Sequence, residues 1–427
     1  MTTTKNKRLY SLILGIVTLL LFTIEKTTIA QENNWTFFRG SNLNGVSANT
    51  GLPQSWKEDS CIKWKTPLSG TGISSPVVFG QQIWISTANP SGKELFAVCL
   101  DKESGIITQN IKLFQRDSAI GLHNMNSYAT PTPAIEDGYV YIHFGTMGTS
   151  CINTQNSNVI WSRTDLNCNH VQGPASSPII YKGLLILHLE GVDTQNIIVL
   201  DKKTGKTVWK AERPQEYYTD KEPIYRKAYI TPIIINSNNQ DMLISNGAEV
   251  CSAYEPLTGK EIWRINYSSE TTISMPMFIN GLVVFTTGFG RPVRLIAANP
   301  NGTGNITATN IVWQTDASVP GMNSPVGNKG LIYMIEDKGT ITCLEAKTGT
   351  VVWKNRLKGE FYASPIIADG KIYCPSKQGT VYVLEEGSIF KLLAESKADG
   401  ELWATMAVTG KYLLMRTNKS LYCIGKP

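Results

Sequence analysis

Chemistry in this chain must come from few side chains. Its four histidines, His123, His143, His170 and His188, all fall between residues 123 and 188 of 427. His143 and His188 each stand ten residues after a proline, Pro133 and Pro178, and so occupy one level of a repeated strand pattern. Neutral imidazoles grouped this way can bind a transition metal or a polar ligand, and Glu190 or Asp193 could orient a ring through its second nitrogen. The competing expectation is that His143 and His188 are strand residues hydrogen-bonded to neighbouring loops, since no element carries two histidines at ligand spacing.

A second polar group lies in residues 213–230, where Tyr217, Tyr218, Arg226, Lys227 and Tyr229 suit polar or anionic ligands with flat surfaces. Tyr128, Tyr229 and Tyr362 each precede a proline by three residues, at Pro131, Pro232 and Pro365, although counting from Pro133 breaks the first match. Arg291 belongs to the stretch GFGRP, residues 288–292, which lacks the following helix that a phosphate cradle needs. No G-x-S-x-G elbow, Walker loop or H-E-x-x-H pair occurs, so hydrolase chemistry has no nucleophile with a partnered base.

These residues must be positioned by a repeat. LDKKTGKTVWK ending near Trp209, YEPLTGKEIWR at Trp263 and LEAKTGTVVWK at Trp353 each read as a strand, an acidic-x-x-Thr-Gly turn and a second strand closed by Trp. Gly205, Gly259 and Gly349 supply the positive φ that such a turn requires. A Ser/Thr-Pro pair opens an apolar run ahead of each copy, at Pro76, Pro133, Pro178, Pro232, Pro325 and Pro365, with Met275-Pro276 and Thr405-Met406 as worn versions. Steps of 57, 45, 54, 44, 49, 40 and 41 residues fit a four-stranded blade plus loops, and predict an all-β, eight-bladed β-propeller. Gln109, Ser157 and Phe390 mark decayed copies. The eighth unit lacks its Trp strand, which is found instead around Trp64, so an N-terminal strand should complete the last blade and leave no exposed edge.

Three regions are expected: a signal peptide at 1–30, a strap at 31–60 and the propeller at 61–427. Lys5, Lys7 and Arg8 precede an apolar run from Leu9 to Ile24, and Thr28-Ile29-Ala30 offers a cleavage site. No Cys stands there for a lipid anchor, so the mature chain is expected to be exported, periplasmic or secreted, without a stable membrane anchor. In the strap, Trp35, Phe37, Phe38, Arg39 and Trp56 suggest a segment packed on the ring, with Phe38-Arg39-Gly40 open to a binding role instead. Cys99, Cys151, Cys343 and Cys423 share one repeat level, so they read as buried packing residues rather than disulfides. The net charge of +6 is spread over turns with no basic run, which argues against nucleic acid.

The blade pattern resembles the pyrroloquinoline-quinone-type repeat of quinoprotein alcohol dehydrogenases and of the outer-membrane assembly propeller lipoprotein. The ordered segments WTFFRGSNLNGVS, NSYATPTP, VYIHFGT, SSPIIYKGLLIL, TGFGRPV and FYASPIIADGKIY are more narrowly similar to secreted propellers of planctomycete-like bacteria. In the dehydrogenases that resemblance implies a quinone over Ca²⁺, held by a Glu, an Asn and a catalytic Asp and usually beneath two adjacent cysteines. This chain has no adjacent cysteines, and no ligand motif places that carboxylate set. The expected function is therefore a binding or scaffold module, with a small-molecule or protein partner on the loop face around the central channel. The alternative is a quinone-dependent dehydrogenase using pyrroloquinoline quinone and calcium. Deleting residues 61–68 is expected to unfold or oligomerise the protein in melting and size-exclusion experiments, whereas removing residues 1–30 should do neither; native-like melting of the first variant would refute ring closure.

Overall fold

A computed structural model describes residues 33–58, 60–289 and 292–426. The segment read as a signal peptide, and Arg291, lie outside the described residues. The remainder forms eight sheets, each built on four antiparallel strands, arranged as an eight-bladed propeller. Blade 1 consists of Val77–Phe79, Gln82–Ala88, Glu94–Asp101 and Ile107–Gln115, and blade 3 of Ile179–Tyr181, Leu184–Glu190, Gln195–Asp201 and Thr207–Glu212. Blade 8 takes Ala407–Thr409, Tyr412–Arg416 and Ser420–Ile424 from the C-terminus and Ile62–Pro67 from the other end of the chain. Trp64 there pairs with Cys423, as Trp161 does with Cys151 and Trp353 with Cys343. Ring closure by the early strand is thus the observed topology.

The turn sequence explains how blades join. In Asp201–Gly205 the Asp201 carboxylate accepts the Lys203 and Thr204 N–H groups at 3.1 and 2.8 Å, and Gly205 adopts φ +70°. That glycine also lies flat against the Trp161 indole of the preceding blade, where an added Cβ would stand 2.6 Å from Cδ2. The same indole donates its Nε1 hydrogen to the Lys202 carbonyl at 2.9 Å. Trp64 does this to the blade 1 turn, Trp209 to blade 4 and Trp313 to blade 6. Each of these four Trp therefore locks onto the next blade's turn, and burying about 150–250 Å² of indole contributes roughly 5 kcal/mol before entropy costs.

The decayed copies follow from this pairing. Gln109 occupies the Trp slot of blade 1, opposite Cys99, and the turn of blade 2 that such a Trp would cover carries Ser157 at φ +63° instead of Gly. Blade 8 has no turn between its third and fourth strands, because Ser420–Ile424 and Ile62–Pro67 are far apart in the chain, and the Trp slot of blade 7 is accordingly Ala394, opposite Val383. Phe390 belongs to the blade 7 turn and packs edge-on against Trp353 at 5.3 Å. Trp263 meets no Gly turn; residues 299–310 cover it, with Gly304–Asn305 pairing parallel to its strand, and it is fully buried.

The channel-side edges are also satisfied. Trp35 bridges to Val78, the Ile135 N–H donates to the Thr36 carbonyl, and Val46–Ser47 pairs in parallel with Ile367 and Ala368. Residues 33–58 thus cross the ring, touching the first strands of blades 1, 2 and 7. The level-sharing cysteines are buried free thiols, as are Cys168, Cys251 and Cys374, while Cys61 is half-buried and also free. Burial pushes the Cys99 thiol up to about 11 and those of Cys151, Cys343 and Cys423 up to about 12, as inert packing residues require.

Glycines separate the two demands of the turn. Gly138, at φ +79°, has open space where a methyl group would stand, so Gly138→Ala should cost only the left-handed backbone penalty of about 1–2 kcal/mol. Gly205→Ala adds a displaced indole and should cost at least about 2 kcal/mol more in urea unfolding. Equal losses would show that the Trp contact contributes nothing.

Candidate functional site

In every blade the first strand is preceded by the Ser/Thr-Pro pair or its worn form, and these entry segments converge on the central axis. They enclose a cavity of about 440 Å³. One level of its wall is the residue just before the proline position: Ser75, Thr132, Ser177, Thr231, Ser324, Ser364 and Thr405. Two residues earlier stands a second level, made by Ile73, Thr130, Ala175, Tyr229, Ile273, Met322, Tyr362 and Trp403. Phe38, from the strap, also lines it.

The hydroxyl level explains why Ser or Thr recurs before the strand in blade after blade. Six of these seven hydroxyls, all but that of Ser75, accept the backbone N–H of the counterpart in the preceding blade: Ser75 to Thr132 at 2.9 Å, Thr132 to Ser177 at 2.9 Å, Ser177 to Thr231 at 3.0 Å, Met275 to Ser324 at 3.0 Å, Ser324 to Ser364 at 2.9 Å and Ser364 to Thr405 at 3.0 Å. These are amides that the proline-initiated strands leave out of their ladders, and the hydroxyls satisfy them. Met275 has no hydroxyl to offer Thr231.

Above that ring the aromatic groups gather. Tyr362 and Trp403 stack at 5.0 Å and 16° between planes, with the Lys377 ammonium 5.1 Å from the Trp403 ring. The stack is flanked by acids, since Trp403 Nε1 donates to Glu401 at 2.8 Å and the Tyr362 hydroxyl to Glu360 at 3.1 Å. Burial, and then the Glu360 carboxylate, pushes the Tyr362 phenol up to about 12. Sequence reasoning missed Trp403, although it stands three residues before Met406 of the worn repeat copy, the same count that marks Tyr229 and Tyr362.

Residues 213–230 supply one wall and are anchored from behind. Arg213, fully buried, pairs through Nε with Glu190 and donates from Nη2 to the Ser245 hydroxyl at 2.9 Å and carbonyl at 3.1 Å. Burial pulls the guanidinium down, and the Glu190 carboxylate more than offsets this, holding Arg213 well above its ordinary value. Farther along, the Ala228 N–H reaches the Glu190 carbonyl and Tyr229 N–H the Thr272 carbonyl at 2.7 Å. Two short 3₁₀ turns, Gln215–Tyr218 and Pro223–Tyr225, lead to the cavity residues Ile224, Tyr225, Lys227 and Tyr229. Lys227 is buried, donates to the Ile224 carbonyl and lies 3.2 Å from the Thr271 hydroxyl; burial lowers its ammonium.

The structure brings together only some of the residues singled out from the sequence. His123, Lys227 and Tyr229 line the cavity, with His123 exposed and its Nδ1 accepting the Met125 N–H at 3.2 Å. Tyr128 does not share the level of Tyr229 and Tyr362: Thr130 stands there, so counting from Pro133 is correct, and Tyr128 packs against Gly92 of blade 1. Arg226 turns away to the Lys221 carbonyl at 2.7 Å, and Asp193, exposed, accepts the Asn169 N–H at 2.8 Å. His143, His170 and His188 are buried behind the wall. His143 meets Thr149 at 2.8 Å and His188 meets Ser245 at 3.0 Å, with Nε2 of His188 3.6 Å from Glu190. His170 sits 3.7 Å from Cys168 Sγ, and its carbonyl accepts the Tyr229 hydroxyl at 3.2 Å.

A quinone over calcium would need convergent oxygen ligands. Among the described residues no group of three or more His, Cys, Asp or Glu side chains is placed to hold a metal ion, and the carboxylate lining the cavity is Glu270. The flat Tyr362–Trp403 pair is present, but the donor set does not fit a calcium-held cofactor. Asp337 is engaged elsewhere, accepting the Gly321 and Met322 N–H groups at 3.2 and 3.3 Å; burial raises it to about 6 against those bonds.

Comparisons with known proteins agree with this architecture. A family model described as outer membrane protein assembly factor BamB matches residues 193–307 and 246–420, which together span more than half of the 427-residue chain. A search of curated protein sequences finds no match. Among solved structures, a europium-containing methanol dehydrogenase superposes with a TM-score of 0.70 at 10% identity, covering 93% of this chain and 92% of that one. BamB from Moraxella catarrhalis gives 0.54 at 12% identity, covering 79% and 98%, and quinohemoprotein alcohol dehydrogenase from Comamonas testosteroni gives 0.66 at 9%, covering 94% and 82%. At such identities the likeness is one of fold.

The buried histidines carry a pH dependence. Burial, then the neighbouring His170, lowers His143 to about 3, and burial, then His188, lowers His170 to about 4, whereas the unfolded chain protonates near 6.5. Below pH 6.5 the unfolded state therefore binds more protons, and each such histidine removes up to about 1.4 kcal/mol of stability per pH unit until its folded value is reached. Melting temperature should fall from pH 7 to pH 5, and His170→Gln should flatten that slope; a slope unchanged by the substitution would refute the assignment.

Proposed function

Since the chain belongs to the family of quinone-repeat propellers described as outer membrane protein assembly factor BamB, we propose that it is an exported binding module whose ligand or protein partner docks on the loop face, over the central cavity. In this reading residues 1–30 direct export and are removed, residues 31–60 form the strap and residues 61–427 the propeller. The observation that carries the reading is the cavity itself, about 440 Å³, lined by loops from every blade and with Phe38 of the strap in its wall. Ile224 and Tyr225, 41% and 44% exposed, stand at its rim on the longest of those loops and offer contact area to a partner.

Binding is favoured over catalysis by the state of the hydroxyls. The Ser and Thr hydroxyls of the ring before the prolines accept backbone N–H groups, and among the described residues none of these is bonded to an imidazole or carboxylate that could activate it. The family description concerns assembly of outer-membrane proteins, which supports a partner in the same compartment. A photo-crosslinking residue in place of Tyr225 is expected to trap that partner or ligand in the exporting cell, whereas the same residue in place of Ile389, in the turn before the outer strand of blade 7, should not. Capture at 389 alone would overturn a loop-face site.

A further inference from the structure

We propose that the hydroxyl ring of the channel is a carboxylate site: the cavity takes a monocarboxylate with an apolar tail, its head on the ring and its tail among the aromatic and aliphatic side chains above. This rests on the loop-face reading and names the ligand class.

Hydrogen-bond capacity makes the first part of the case. A hydroxyl has one proton to give and lone pairs to accept with. In Thr132, Ser177, Thr231, Ser324, Ser364 and Thr405 the lone pair is engaged by a backbone N–H from the neighbouring blade. None of the six donates its proton to any acceptor among the described residues. Six donors therefore face one cavity with no acceptor among the described residues, which selects a ligand end rich in acceptors and poor in donors.

Charge makes the second part. Arg39 and Arg416 are both buried beside the ring, 2% and 3% exposed, and both are held by neutral oxygens. Arg39 donates to the Ser324 carbonyl at 2.8 Å and the Pro325 carbonyl at 2.7 Å. Arg416 donates from Nη1 to the Ser74 carbonyl at 2.9 Å and hydroxyl at 2.6 Å and to the Ser86 carbonyl at 3.1 Å. No described carboxylate offsets either charge, and burial alone lowers each guanidinium to about 9. On the wall itself Lys227 is matched by the carboxylate Glu270, so the uncompensated charge is that of Arg39 and Arg416, which lie behind the ring. Buried charges are normally paired, so this arrangement leaves a positive field on the cavity that an anion would satisfy.

Shape makes the third. Above the ring the wall is apolar, with Ile73, Ile273, Met322, Phe289 and the Tyr362–Trp403 stack. A bare inorganic anion would leave that surface in contact with water, whereas an apolar tail would cover it. A neutral alcohol would waste the field, and an amine would meet both the donors and the cations.

The probes are 3-phenylpropionate, its amide and 3-phenylpropylamine, titrated calorimetrically into the full mature chain. The acid is expected to bind at least about tenfold more tightly than the amide and the amine not at all. Arg416→Met should erase the acid-over-amide preference while amide binding persists. If that variant does not fold, the pair Ser177→Ala and Ser364→Ala removes two donors with small truncations and should lower acid affinity by at least about tenfold, again with less effect on the amide. A purely structural role would move both probes together and leave their ratio unchanged, which would overturn the proposal. Equal binding of acid and amide by the unaltered protein, or no binding of the acid at millimolar concentration, would overturn it too, while the loop-face reading is decided separately by the crosslinks at 225 and 389.

Discussion

The contact between an outer-strand indole and the next blade's turn is what the ring is built on. A four-stranded sheet of short strands cannot bury both faces alone, and each blade solves this against its neighbour. The indole gives the interface area, its Nε1 hydrogen satisfies a turn carbonyl, and the turn glycine must lack a Cβ for the two to meet. That triple demand couples residues in different blades, which is why the sequence loses Trp and Gly together. Gln109 and Ser157 are lost as a pair, and Ala394 stands where blade 8 presents no turn to cover. Among the described outer-strand indoles only Trp263 escapes the rule, because residues 299–310 replace the turn as its cover.

The same economy operates at the channel. Proline at the strand entry prevents one amide from joining a ladder and leaves the amide before it in need of an acceptor. A hydroxyl from the adjacent blade answers, so the ring is stitched on its inner side by polar links and on its outer side by indoles. The strap adds main-chain pairing to the innermost strands of three blades and places Arg39 against the carbonyls of blade 6. The channel that results has donors on its wall and buried positive charge behind them.

The long loop at 213–230 shows how a functional surface is held without being part of the ring. Its base is the Arg213–Glu190 pair, fully removed from water and completed by Ser245, so that the charge cost is met by geometry and extra hydrogen bonds. Its far end is tied by Ala228 and Tyr229 to blades 3 and 5. Between these fixed points Ile224 and Tyr225 project beside the cavity. The three inward histidines lie behind this wall, neutral because burial disfavours their charged form.

Periodic features were legible in the sequence because they repeat the same physical demand from blade to blade. The turn glycines, the anchoring indoles, the Ser/Thr-Pro entries and the displaced strand at Trp64 all follow from spacing alone, and with them the fold and its closure. The cysteines at one repeat level read correctly for the same reason. Single-occurrence features were not legible. Whether Tyr128 counts from Pro131 or Pro133, whether Arg226 faces the cavity, and which histidines lie at the wall depend on loop paths set by contacts between residues far apart in the chain. The unpaired guanidinium groups of Arg39 and Arg416 are the clearest case, since Arg39 lies 285 residues in sequence from the Ser324 carbonyl it binds and Arg416 lies 342 from that of Ser74. A repeat dictates where each blade begins; only the closed ring decides which side chains from eight blades share one axis, because that juxtaposition is a property of the closure and of no single segment.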